Sequence, residues 1–146
     1  MGAFPQATFT PAASAHTTPA VVGGAQQFTQ AGQVGQSVTI LGCSLRIDGA
    51  LETSTWQVHL YDATPPSALA DAAGFAIPSG DRANYLGFLS LAQTVLYTNT
   101  QWIENNNIWK PIRLSHGGLY GYLVNGTTLT PGAVAHVVTI ALSSDV

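Results

Sequence analysis

The sequence predicts an all-β protein, an antiparallel β-sandwich of jelly-roll type. Three observations lead there. Short segments of alternating apolar and polar residues recur along the chain. Gly, Pro and Asn clusters separate them about every 8–12 residues. Only one stretch, 67–73, has the Ala-rich composition of a helix. About eight or nine short strands and one short helix are expected.

Taken in order, residues 1–36 carry no charged side chain and include Pro5, Pro11 and Pro19. Proline interrupts continuous ladder pairing. This segment reads as an extended N-terminal arm with a short strand at 20–22, and 37–146 reads as the β-sandwich domain. Phe4, Phe9 and Phe28 are the arm's candidate anchors, on its own domain or on a neighbour.

Residues 37–48 alternate, with Val38 and Ile40 on one parity and Cys43, Leu45 and Ile47 on the other. The flip at Leu41 and Gly42 predicts a β-bulge. In 56–61, Trp56, Val58 and Leu60 share one face, which places Trp56 in the core. Thr64, Pro65 and Pro66 stop that strand. The helix expected at 67–73 is ended by Gly74. Strands follow at 85–91, 93–98, 101–104, 108–114, 119–124 and 135–142. Pro111 argues for an edge position. Asn105-Asn106-Asn107, Asn125-Gly126 and Pro131-Gly132 mark turns.

The chain has 146 residues, enough for one domain with a core that needs no staple. Charged residues make up 8%, against about 25% in typical globular domains. The formal net charge is −3. Such scarcity of Lys and Arg excludes phosphate-driven nucleic-acid binding and a basic membrane-surface helix. No apolar run approaches the ~20 residues of a membrane span. The first residues lack the cationic start and apolar stretch of a secretory signal. A surface so poor in charge suits either a protein that buries much of it against neighbours or a neutral, Thr-rich extracellular β-domain.

Candidate chemistry is sparse. Asp48, Glu52, Asp62, Asp71, Asp81, Glu104 and Asp145 sit at expected turns or strand ends, where solvated carboxylates are common. His16, His59, His116 and His136 show no metal-ligand spacing. There is no nucleophile elbow and no phosphate loop. Cys43 is single and reads as a small core residue. No catalytic residue, metal or cofactor is expected, and the chain is not read as an enzyme. Trp102 and Trp109 flank the Asn-rich turn, as interface anchors or as sugar-stacking rings. Pro65, Pro66, Asp81, Arg82 and Tyr85 form the densest unusual stretch, read as a structural loop held by charge-assisted hydrogen bonds.

That stretch carries a resemblance. The pattern H-L-Y-D-A-T-P-P-S-A-L-A-D at 59–71, then I-P-S-G-D-R-A-N-Y-L-G at 77–87, resembles a family of small structural proteins of tailed bacteriophages. The segments F-T-P-A-A-S-A-H and V-V-G-G-A-Q-Q-F near the start fit it too, as does T-P-G-A-V-A-H-V-V-T near the end. The resemblance spans nearly the whole chain and transfers no catalytic residue. It implies a virion component, a head decoration or cement protein on the capsid exterior, made in the host cytoplasm. Its expected partners are the major capsid protein of the same phage and itself, as a homotrimer. The rival reading is a tail- or fibre-associated or secreted carbohydrate-binding β-sandwich module.

Overall fold

Alternation of buried and exposed side chains builds the protein almost entirely from strands. The computed structural model describes residues 2–49 and 52–144, and the side chains of all of these except 93–96. Eleven strands lie among the described residues: β1 (Gly2–Ala3), β2 (Gln6–Phe9), β3 (Ala20–Phe28), β4 (Gln36–Ile47), β5 (Trp56–Tyr61), β6 (Tyr85–Leu91), β7 (Gln93–Tyr97), β8 (Thr100–Asn105), β9 (Lys110–Leu114), β10 (Leu119–Asn125) and β11 (His136–Ser144).

They form two antiparallel sheets. One has seven strands, in the order β1-β11-β4-β8-β7, with β2 also on β11 and β9 also on β4. The other has four, in the order β3-β10-β5-β6. The pairs β2–β11, β3–β10, β4–β8 and β5–β6 are nested, as in one long hairpin folded over on itself. That nesting is the jelly-roll arrangement. A single residue, Ala92, links β6 in one sheet to β7 in the other.

β4 is the longest strand and has partners on both sides. Gly42 faces Ala141 and Ile40 faces Leu142, so Leu41 is an extra residue in the ladder. The bulge expected there is present. It lets Val38, Ile40, Cys43, Leu45 and Ile47 all point into the core despite the parity flip. On its other side β4 pairs with β8 over Cys43–Ile47 and with β9 over Gln36–Ile40. The chain from β8 to β9 passes the bulge, where Ile108 N–H donates to Leu41 O at 3.2 Å. A Cβ at Gly42 would stand 3.1 Å from Asn106 Oδ1, so only glycine fits there without a shift.

The core between the sheets is filled by Phe9, Phe28, Ile40, Leu45, Ile47, Trp56, Leu60 and Ile140, among others. A second cluster, Val21, Tyr61, Tyr122 and Val124, lies on the outer face of the four-stranded sheet. Leu69 and Phe75 from the 62–84 segment pack over it. That segment is not helical at 67–73. Ala68 and Ala72 have φ of 44° and 65°, outside the helical region. The backbone runs instead along the edge of β3. Val21 N–H donates to Ala73 O at 2.9 Å, and Ala72 N–H donates to Val21 O at 2.8 Å. Edge pairing and a hydrogen-bonded Asp71 outweigh the helix propensity of a stretch this short. The one helical turn among the described residues is a 3₁₀ turn at Arg82–Asn84.

The N-terminal segment is extended, but within the sheets of its own chain. β1 and β2 line β11, and β3 is an edge strand of the smaller sheet. Pro5 sits in the break between β1 and β2, where its carbonyl accepts Ile140 N–H at 3.0 Å. Phe9 and Phe28 are fully buried, with ring centroids 6.4 Å apart. They are core residues of this chain, so these two anchors lie on the chain's own domain and not on a neighbour. Of the three phenylalanines, Phe4 alone is exposed, at 71%.

This packing sets an order of costs. Phe9→Ala is expected to destabilise the fold by about 3–5 kcal/mol, and Phe4→Ala by less than about 0.5 kcal/mol. Removal of residues 1–18 should abolish cooperative unfolding, because β2 and Phe9 go with them. Urea denaturation followed by tryptophan fluorescence measures all three. A truncated chain as stable as the full one would contradict this placement of β2.

Candidate interaction surface

The ionisable side chains are built into the fold. His16 and His136 are both fully buried and bound alike. His16 Nδ1 lies 2.7 Å from Ser14 O, and its Nε2 lies 2.7 Å from Asp71 Oδ1. His136 Nδ1 lies 2.9 Å from Val134 O, and its Nε2 lies 2.7 Å from Glu52 Oε2. Each ring thus bonds the carbonyl two residues back and a carboxylate far away in sequence. Asp71 also accepts Ala12 N–H and Gly23 N–H at 2.9 and 2.8 Å. Glu52 accepts Gly132 N–H at 2.9 Å, and its own peptide group is bracketed by the Gln101 amide. These two clusters pin the loops at one end of the sandwich.

Burial acts to raise the Asp71 carboxyl, but the Gly23, His16 and Ala12 hydrogen bonds outweigh it and hold the group below the usual carboxylate range. His116 Nδ1 meets the buried Asp62 at 3.2 Å. His59 donates from Nε2 to Gln57 Oε1 at 3.0 Å and accepts the Tyr85 hydroxyl at Nδ1 at 2.8 Å. Phe75 and Phe88 pack on its ring, with centroids at 4.0 and 5.4 Å. Burial pushes His59 down to about 4. Burial also pushes the Cys43 thiol up to about 12, which leaves it a poor nucleophile. No group of three His, Cys, Asp or Glu side chains able to hold a metal occurs among the described residues.

The two outer sheet faces differ. The 62–84 segment covers that of the four-stranded sheet. The loop reading of Pro65, Pro66, Asp81, Arg82 and Tyr85 falls in and beside this cover. Pro65 is buried and Pro66 exposed. The buried Asp81 carboxylate accepts the Ser67 amide at 3.1 Å and the Ser67 hydroxyl. Arg82 Nε donates to Ile77 O at 3.3 Å.

Among the described residues, nothing covers the outer face of the seven-stranded sheet in this way. Strand register lays Gln6, Thr139, Ser44 and Glu104 in one row across it. The next row is Thr8, Val137, Arg46 and Trp102. Arg46 is paired with Asp48 at 2.8 Å, and Trp102 Nε1 donates to Glu104 Oε2 at 3.2 Å. A depression of about 140 Å³ lies on this face. Its floor is Gly42, Ser44, Thr139 and Ala141; Phe4 stands at one side and Glu104 and Asn106 at the other. A larger hollow of about 450 Å³ adjoins it at the end of β8, lined by Ala92, Glu104, Asn105, Asn106 and Asn107. Trp109 follows on the β8–β9 connection, 66% exposed, with φ of 52°. A bulky residue in that region is strained.

Structure therefore brings Phe4, Trp102, Glu104 and the Asn-rich turn to one sheet, and puts Phe9 and Phe28 elsewhere. The His16–Asp71 and His136–Glu52 clusters escape sequence reading. Their partners lie 55 and 84 residues apart, with no spacing signal between them. Asp145 lies outside the described residues.

No family model matches this chain, and neither does any curated protein. Among solved structures it is similar to a chain from an expanded particle of equine rhinitis A virus, a picornavirus. There the TM-score is 0.33 and the identity 11%, over 99% of this chain and 72% of the other. It is also similar to the capsid protein of Penaeus vannamei nodavirus in a T=1 subviral particle. That match has a TM-score of 0.28 and 9% identity, over 99% and 94% of the two chains. A chain from infectious bursal disease virus, Gt strain, gives 0.30 and 12%, over 96% of this chain and 36% of that one.

The depressed His59 has a consequence for pH. An unfolded histidine titrates near 6.5. The folded ring stays neutral to about 4, so the unfolded chain binds the extra proton between these values. Its contribution to stability is complete above pH 6.5 and is lost as pH falls to 4, by about 2–3 kcal/mol. Urea unfolding at pH 7, 5 and 4 should show that decline, and His59→Gln should flatten it. A wild-type stability that does not change over this range would refute the assignment.

Proposed function

We propose that this chain is a structural protein of a virion, and within that class a capsid decoration or cement protein. Its partners in this reading are the major capsid protein and its own copies, as a homotrimer. One observation carries the proposal: a jelly-roll domain whose larger sheet presents an uncovered face rich in Thr, Ser and Gln, on a chain with only 8% charged residues. Burying Thr, Ser, Gln and Ala avoids the desolvation cost that buried charges impose. The sequence resemblance to tailed-phage structural proteins supports the same class.

Most of the N-terminal segment is committed to the chain's own sheets, and Phe4 is the exposed ring that it offers a neighbour. A ring exposed at 71%, at the edge of a shallow depression, has the character of an interface anchor.

Cosedimentation with particles of the encoding virus, stripped of this chain, tests the reading. Wild-type protein should bind, with affinity changing less than about threefold between 50 and 500 mM salt, because few charges take part. Phe4→Asp should weaken binding by about tenfold or more while leaving the urea midpoint unchanged. Failure of the wild-type chain to bind would overturn the proposal. Equal binding by Phe4→Asp would overturn the anchor.

A further inference from the structure

The hollow at the end of β8 has features that lattice docking does not use. Its volume, about 450 Å³, falls in the range of about 300–1,000 Å³ typical of small-ligand sites. Two strands, β11 and β4, stand between it and the Phe4 edge. We propose that this hollow binds a neutral, hydroxyl-rich ligand of the carbohydrate class. The inference does not rest on the virion reading.

The wall chemistry selects that class. Glu104 spends one carboxylate oxygen, Oε2, on the Trp102 indole and has no partner for the other among the described residues. The side-chain amides of Asn106 and Asn107 likewise make no hydrogen bond within the described chain. A carboxylate accepts from hydroxyls, and an amide both donates and accepts. Adjacent hydroxyls on a sugar do the same, so two or three such groups on one wall match a diol. No Lys or Arg lines the hollow, which disfavours anionic ligands. Ala92 is the one apolar side chain among the described residues that line it.

The wall is also held in place. Asn105 Nδ2 donates to Ser90 O at 3.0 Å, and its Oδ1 accepts Asn107 N–H at 3.2 Å. The turn is thereby fastened to β6, and its free amides are preorganised. Two residues on, Trp109 offers an exposed ring on strained backbone. Strain of this kind persists where the surroundings impose it and clusters at binding sites.

The experiment is a screen of the full chain against an array of neutral oligosaccharides of glucose, galactose, mannose and N-acetylglucosamine. Each hit is then titrated by ¹H–¹⁵N NMR. The Trp102 indole N–H, bonded to Glu104, is the reporter, and the buried Trp56 indole is the internal control. At least one oligosaccharide should shift Trp102 with a dissociation constant of about 1 mM or tighter. Glu104→Gln and Asn106→Ala should each weaken it about tenfold without moving the urea midpoint. No shift with any array sugar at about 10 mM, or a shift that both variants leave intact, would overturn the proposal. Capsid binding by Phe4 is measured separately, so either idea can fail alone.

Discussion

Every acidic side chain among the described residues has a partner within the chain. Asp48 holds Arg46, Glu52 holds His136, and Asp62 holds His116. Asp71 holds His16, Asp81 holds Ser67, and Glu104 holds Trp102. A buried carboxylate is costly unless paired and hydrogen-bonded, and this chain has few charges with which to pair it. The solution is to use imidazoles, hydroxyls and backbone N–H groups as the partners. Loops that would otherwise swing freely at the ends of the sandwich are tied down by those bonds. With only 8% charged residues, the surface is left mostly to neutral side chains.

That economy gives the molecule two unlike sides. On the four-stranded sheet, Tyr61, Tyr122 and Val124 need cover, and the 62–84 segment provides it. Asp71 and Asp81 hold the segment in place from within. On the seven-stranded sheet the outward side chains are mostly Thr, Ser, Gln and Ala, which need no cover. Such a face loses little when buried, as the proposed lattice role requires.

Alternation made most of the strands legible. β5 and β6 fall where their patterns place them, and the bulge at Leu41 shows as a parity flip. Reading failed where tertiary bonds overrode local preference. The Ala-rich 67–73 stretch is drawn out along β3 by backbone pairing and by Asp71. Pro5 and Gly23 look like breaks in an arm. Pro5 instead occupies the gap between two edge strands. Gly23 takes φ of 79° inside β3, where a Cβ would come within 2.7 Å of Thr10 N. The polar hollow was half legible: the Asn-rich turn and its flanking tryptophans stand out in the sequence. The meeting of that turn with Ala92 depends on how β6 crosses between sheets, which no local pattern encodes.

The central claim is that this charge-poor jelly roll belongs to the regular lattice of a particle. Its copy number tests that most directly. Particles of the encoding virus can be purified and the chain quantified against the major capsid protein by mass spectrometry. The account predicts a simple stoichiometric ratio, near one or one third, as symmetric assembly requires. A handful of copies per particle, or none, would contradict it.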